Sequence, residues 1–339
     1  MFRYLISITF MFFSFMAFAN EWVSPIDKKY LAKDPVLFSK FVQTRELLNS
    51  WSGQREKLKS ADSLLREILE KDSEFAPAYR EYGRLYIMAG HVNSDNFRDG
   101  SLNPSETSIL KSLDIEPGYA DSYVLLGHLY TKMKRYDEAE KALQKAEKIG
   151  TDIPWLQLNW ADLLKKRGDY KSAMQRYQNV LQKGTSNRKA YANALSGVTT
   201  MHWYMKEYDE ANKGYKKQLE YSPNDAWKWG NYASFLLFTY KDVDEAIEKG
   251  RKAIQIMNYG MGRFTLGCAL YTKWAMLNDN PVTALQAQQY FDEAWALYPY
   301  PDKVIRETQK HSYTRITSTA LSKWLTSKGT GGSKVAPVL

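Results

Sequence analysis

The chain has 339 residues, 44% hydrophobic and 25% charged, and its Lys and Arg outnumber Asp and Glu to leave a net charge of +9. This composition supports a folded core and excludes a disordered tail or a multispan membrane protein, while the positive balance favours anionic partners. A single cysteine excludes an intrachain disulfide framework, and four dispersed histidines leave little material for a structural zinc site.

At the start, Met1 to Ala19 carries one charge, Arg3, then the apolar run Leu5 to Phe18, and ends on Ala17-Phe18-Ala19. About 14 apolar residues rise roughly 20 Å as a helix, short of the ~30 Å hydrocarbon core of a bilayer. The stretch therefore reads as a secretory signal peptide cleaved after Ala19, with an uncleaved anchor as the alternative. The mature chain is expected to be exported, periplasmic or secreted, with no transmembrane span. Residues 20–34 read as an N-terminal extended segment.

From about residue 35 to residue 300 the apolar residues keep helical spacing, broken by short turns. Tyr123-x-x-Leu126-Gly127-x-x-Tyr130 is followed by Tyr136-Asp137-Glu138-Ala139, Leu143 and Ala146. Thirty-four residues after Ala139 stands Ala173, followed by Tyr177 and Val180; further on, Ala211, Ala246 and Ala287 hold the same place. Upstream, Ala61, Leu65 and Ile68 form another second helix, and Tyr79-x-x-Tyr82-Gly83-x-x-Tyr86 another first helix. The pattern resembles the tetratricopeptide repeat, a 34-residue helix-turn-helix unit. The fold expected from that resemblance is all-α: about seven units stacked into a right-handed α-solenoid superhelix with a concave channel.

The period departs in three places. Ala173 and Ala211 are 38 residues apart, which predicts one extra helical turn, and Ala275 to Thr283 reads as a lengthened turn. The longest departure is 91–104, a loop where a turn of a few residues would suffice. Taking Asp95 as its first position, Asp99, Asn103 and Glu106 fall at ligand positions of a calcium loop and Gly100 at its sharp turn. Phe97 offers no ligand at position three, however. Asn103 as N-cap, Pro104 at N1 and Glu106 at N3 explain the same residues as a capped helix start, so no metal and no cofactor is expected. Residues 301–328 read as one C-terminal capping helix with Ile305, Ile316, Leu321, Trp324 and Leu325 inward, and 329–339 as a flexible tail.

The resemblance also implies which first-helix residues line the channel and bind a partner: Arg80 and Arg84; Val124, His128, Thr131 and Lys132; Trp155, Leu158, Asp162 and Lys165; then Ala192, Ser196, Trp227 and Ser234. This basic lining suits a protein or peptide with acidic character. An anionic polysaccharide stacking on Trp203-Tyr204 and Trp227-Lys228-Trp229 is the alternative guest. Nucleic acid is not expected, since no recognition motif is present. There is no nucleophile elbow, phosphate loop or zinc-spaced histidine pair, and Cys268 beside Gly267 reads as a buried, inert thiol, so catalysis is not expected. The implied role is an exported scaffold or adaptor in envelope assembly or secretion.

Overall fold

The computed structural model describes residues 23–93 and 96–327. Those residues form seventeen α-helices, one π-helical turn and a two-stranded ribbon. The leader, the 329–339 tail and Asp95 lie outside them. The contacts divide the chain into two compact units, Met1–Met201 and His202–Leu339.

The first unit contains α1 (Pro25–Lys33), α2 (Pro35–Asn49), α3 (Arg55–Lys71), α4 (Ala76–Gly90), the ribbon β1 (His91–Asn93) with β2 (Asn96–Phe97), α5 (Asn103–Ile115), α6 (Ala120–Lys132), α7 (Tyr136–Ile149), α8 (Pro154–Lys166), α9 (Tyr170–Lys183) and α10 (Arg188–Tyr204), whose last turn falls in the second unit. The pairs α2/α3, α4/α5, α6/α7 and α8/α9 pack as hairpins, and the first helix α6 also touches the first helices α4 and α8 on either side. The second unit contains α11 (Tyr208–Tyr221), α12 (Ala226–Phe235) with the π-helical turn Leu236–Tyr240, α13 (Val243–Ile256), α14 (Gly260–Leu277), α15 (Ala284–Leu297), α16 (Pro301–Thr308) and α17 (Arg315–Ser327). Here α12/α13, α14/α15 and α16/α17 are the packed pairs.

The recurring small residues explain the packing. Ala61, Ala139, Ala173, Ala211, Ala246 and Ala287 are all fully buried, which lets a second helix sit close on its first. At Gly127 the approach is close: a Cβ there would lie 2.6 Å from Cγ and Cδ2 of buried Leu143. Four turns carry a left-handed residue at φ between 62° and 82°: Lys134 between α6 and α7, Gly168 between α8 and α9, Lys206 between α10 and α11, and Lys241 before α13. Only one of these four is a glycine.

Several expectations are corrected. Residues 25–33, expected extended, form α1, because Ser24 accepts the Asp27 N–H at 2.9 Å as an N-cap and Pro25 opens the helix. The loop 91–104 contains the β1–β2 ribbon. Helix α5 starts at Asn103, so Leu102 is the residue before it and Asn103 does not cap. Helix α14 runs through Ala275 to Leu277, which confines the long turn to 278–283. The single capping helix expected over 301–328 is two helices: the Thr308 hydroxyl bonds back to the Val304 carbonyl at 2.8 Å, and Thr314 closes the break by donating to the Thr308 carbonyl at 2.9 Å. Leu321 is buried as expected, but Ile316 is 43% exposed. The extra turn before Ala211 appears as the 17-residue α10.

Candidate functional site

Arg80 does not line an open surface. It is buried in a charge cluster that ties α1, α2, α4 and α6 together. Its guanidinium pairs with Glu81 and reaches Asp121 at 3.3 Å, and its carbon lies 5.4 Å from the Tyr119 ring centroid. Arg84 holds the other Glu81 oxygen at 2.7 Å and donates to Asn49 Oδ1 at 2.7 Å. Thr151 donates to Asp121 at 2.8 Å. From α1, Asp27 accepts the Tyr119 hydroxyl and stands 3.7 Å from Arg45. Three arginines thus face three carboxylates.

The electrostatics follow from burial and from these partners. Burial opposes the Glu81 charge, but Arg84 and Arg80 outweigh it and hold the carboxyl below its usual range. Burial pushes Asp121 up despite Arg80, and pushes the Tyr119 hydroxyl well up. Burial also disfavours the charged form of Arg80, yet the carboxylates of Glu81, Asp27 and Asp121 keep it firmly protonated.

A second cluster joins four of the expected residues. Lys132 and His128 lie on α6, Asp162 and Lys165 on α8. The Asp162 carboxylate receives Lys165 Nζ at 2.6 Å, Lys132 Nζ at 3.8 Å and the Tyr177 hydroxyl at 3.0 Å. Burial would raise the Asp162 pKa, but Lys165, Lys132 and then His128 lower it, so the group remains a carboxylate. The two lysines converge on this carboxylate, and all three side chains are partly exposed.

The other expected lining residues divide differently. Val124 and Thr131 are each only 2% exposed. Val124 is core between adjacent first helices, its carbonyl accepting from Asn159 at 3.0 Å, and the Thr131 hydroxyl bonds to the Gly127 carbonyl at 2.9 Å. Leu158 is buried as well, and Trp155 is partly buried against the core. Ser196 on α10 is half-buried. In the second unit Trp227 is 51% exposed with its ring 4.4 Å from Tyr259, whereas the neighbouring Trp229 is pinned by its N–H on the Pro223 carbonyl at 2.8 Å.

At the residues considered for calcium, the Glu106 carboxylate is taken by Arg135 at 2.7 Å and Asn103 belongs to the first turn of α5, while Asp95 lies outside the described residues. Among the described residues no three His, Cys, Asp or Glu side chains gather to hold a metal. Cys268 is buried, and burial pushes its thiol well up, away from the reactive thiolate. Among the described residues no helix is long and apolar enough to cross a membrane.

Sequence reasoning missed Asp27, Arg45, Tyr119 and Asp121. For Asp27 a signal existed in Ser24-Pro25-Ile26-Asp27, the same cap, Pro and N3-carboxylate pattern read at 103–106. Arg45 and Asp121 carry no local signal, since their partners come from other helices.

Residues 120–149, which are α6 and α7, match the family model of the tetratricopeptide repeat, a family that indicates no catalytic activity. No curated protein matches the sequence. Among solved structures the chain is similar to the APC/C hetero-tetramer Cut9-Hcn1 (19% identity, TM-score 0.56, covering 72% of this chain and 45% of that one). It is also similar to yeast Tom70 (16%, 0.51, covering 77% and 52%) and to Pseudomonas aeruginosa pilF (18%, 0.50, covering 68% and 94%). The chain spans less than half the length of the Cut9-Hcn1 chain. At these identities the likeness is one of fold: stacked helical hairpins of tetratricopeptide type.

Proposed function

We propose that the chain is a non-catalytic scaffold that binds an acidic peptide or protein segment at the Lys132–Asp162–Lys165 cluster of its first unit. The observation that carries this reading is a gathering of cations: Lys165, Lys132 and His128 converge on the Asp162 carboxylate, and the lysine side chains are partly exposed. A ligand carboxylate entering there pairs with a lysine already held in place, so little side-chain entropy is lost on binding. The fold supports the reading, since the similar Cut9-Hcn1 is an assembly of more than one protein. The apolar leader ending at Ala19 makes the partner an exported one, in envelope assembly or secretion.

The test is capture of partners from a cell-envelope extract by the mature protein and by Lys132→Glu/Lys165→Glu, with helical content checked by circular dichroism. The double variant should lose the acidic partners that the parent retains, and the parent's capture should weaken as salt rises. Equal capture by both proteins at every salt concentration rejects the site.

A further inference from the structure

We infer that Arg45, Arg80 and Tyr119 form a carboxylate-receptor site that the chain fills with Asp27 of its own α1, and that an acidic helical segment of a protein partner exchanges with α1 there. This site is separate from the Lys132–Lys165 cluster and does not depend on the function proposed for it.

The chemistry is that of a receptor. Tyr119 donates to one Asp27 oxygen and Arg45 lies 3.7 Å from the other. Behind them Arg80 is sandwiched between aromatic rings, 5.4 Å from Tyr119 and 5.9 Å from Phe41. With Asp27 withdrawn, three arginines would face only Glu81 and Asp121, and an uncompensated buried cation is costly. The position therefore demands an anion. Asp27 does not use all that the receptor offers: among the described residues Arg80 Nε is buried with no acceptor. A carboxylate on a segment able to sit deeper gains that hydrogen bond.

The occupant is small. Helix α1 has nine residues, and within it only Asp27 and Tyr30 are buried. Besides Asp27 it is held by the Tyr30 ring, 4.7 Å from Phe75, and by the Tyr30 hydroxyl; the pairs Lys29 to Glu116 and Lys33 to Asp72 involve lysines that are more than half exposed, and such surface pairs contribute little. A helix this short does not persist alone in water, so displacing it releases conformational entropy. The docked form also specifies its substitute. Ser24 caps the helix so that Asp27 sits at N3, and one turn on, Tyr30 donates to the Glu74 carbonyl at 2.8 Å. The competing segment is a capped helix start bearing an acidic residue at N3 and an aromatic residue three positions later.

The test uses the full chain and a fluorescent peptide copying residues 23–34, read by anisotropy. The peptide should bind Asp27→Ala roughly tenfold or more tightly than it binds the parent, whose site is filled in cis. Replacing the aspartate of the peptide that corresponds to Asp27 by alanine should abolish binding. Lys132→Glu/Lys165→Glu should leave the peptide affinity unchanged, which separates this site from the proposed partner cluster. Equal affinity for parent and Asp27→Ala, absence of binding to both, or indifference to the peptide's aspartate overturns the inference. Should Asp27→Ala not fold, hydrogen exchange of the parent decides: excess peptide must speed exchange of the α1 amides, and unchanged α1 protection overturns it.

Discussion

Glu81→Ala tests whether the buried ion cluster is the structural centre of the first unit. Glu81 is fully buried, Arg80 holds one of its oxygens and Arg84 the other at 2.7 Å. Deleting the carboxylate leaves both guanidinium groups in protein with one fewer counter-charge. Removing one partner of a buried pair costs about 3–5 kcal/mol, because the stranded charge cannot recover its hydration. The comparison is Glu56→Ala: Glu56 meets Lys59 at 3.0 Å, but both side chains are more than two-thirds exposed, so its loss costs less than about 1 kcal/mol. Repeat arrays open piecewise, so the measurement should be local: native-state hydrogen exchange over α4. At tenfold per 1.4 kcal/mol, Glu81→Ala should accelerate α4 exchange by roughly two to four orders of magnitude. Glu56→Ala should barely change it. An acceleration below tenfold for Glu81→Ala, or one matched by Glu56→Ala, would refute the assignment.

Gly127→Ala and Gly260→Ala should move stability in opposite directions. A Cβ at Gly127 meets Leu143 at 2.6 Å and the Ala139 carbonyl at 3.3 Å, whereas one at Gly260 meets nothing within 4 Å. Overpacking costs about 1–3 kcal/mol against a helix-propensity gain of about 1 kcal/mol, so the first variant loses and the second gains in urea titrations; shifts of the same sign contradict the packing described. Lys134→Gly should stabilise by about 0.5–1 kcal/mol, since Lys134 holds φ at 62° in a turn where glycine carries no Cβ penalty; a lower urea midpoint argues against that turn geometry. Asp162 has a depressed pKa, so the unfolded chain binds its proton first and the stability it contributes, full above the ordinary carboxylate value of about 3.9, is lost as pH falls through the folded value. The stability difference between parent and Asp162→Asn should therefore shrink below about pH 4; a difference independent of pH removes Asp162 as the titrating group.

The hairpins were legible because close packing selects residue types that a sequence displays. Ala139 and Ala173 are fully buried where the 34-residue spacing puts them, and Gly127 abuts Leu143. Helix α1 escaped because Ile26, Tyr30 and Leu31 are too few to set a period, although Ser24-Pro25 announces a start. The break between α16 and α17 escaped because it contains neither Gly nor Pro; threonine hydroxyls bonding to backbone carbonyls make it. Lys132, Asp162 and Lys165 were named through the resemblance, and they lie together. Val124 and Thr131 were assigned to the channel by the same resemblance and are buried, because a position within a repeat tells which side of its own helix a residue takes and not how near the next helix stands.

The two clusters of the first unit also show why counting basic residues misplaces a binding surface. Arg45, Arg80 and Arg84 meet Asp27, Glu81 and Asp121 at equal numbers, and those six groups bind elements of the fold to one another. Lys132 and Lys165 both meet Asp162 and remain partly in water. A buried, balanced cluster admits a new carboxylate only if an old one leaves, so its ligand must act by exchange and its apparent affinity carries the penalty of displacing α1. A partly exposed cationic cluster accepts a carboxylate directly, with an attraction that salt screens. Increasing ionic strength should thus weaken partner capture at Lys132 and Lys165 far more than it weakens exchange at Arg80, where the charges are shielded from solvent ions by the protein around them.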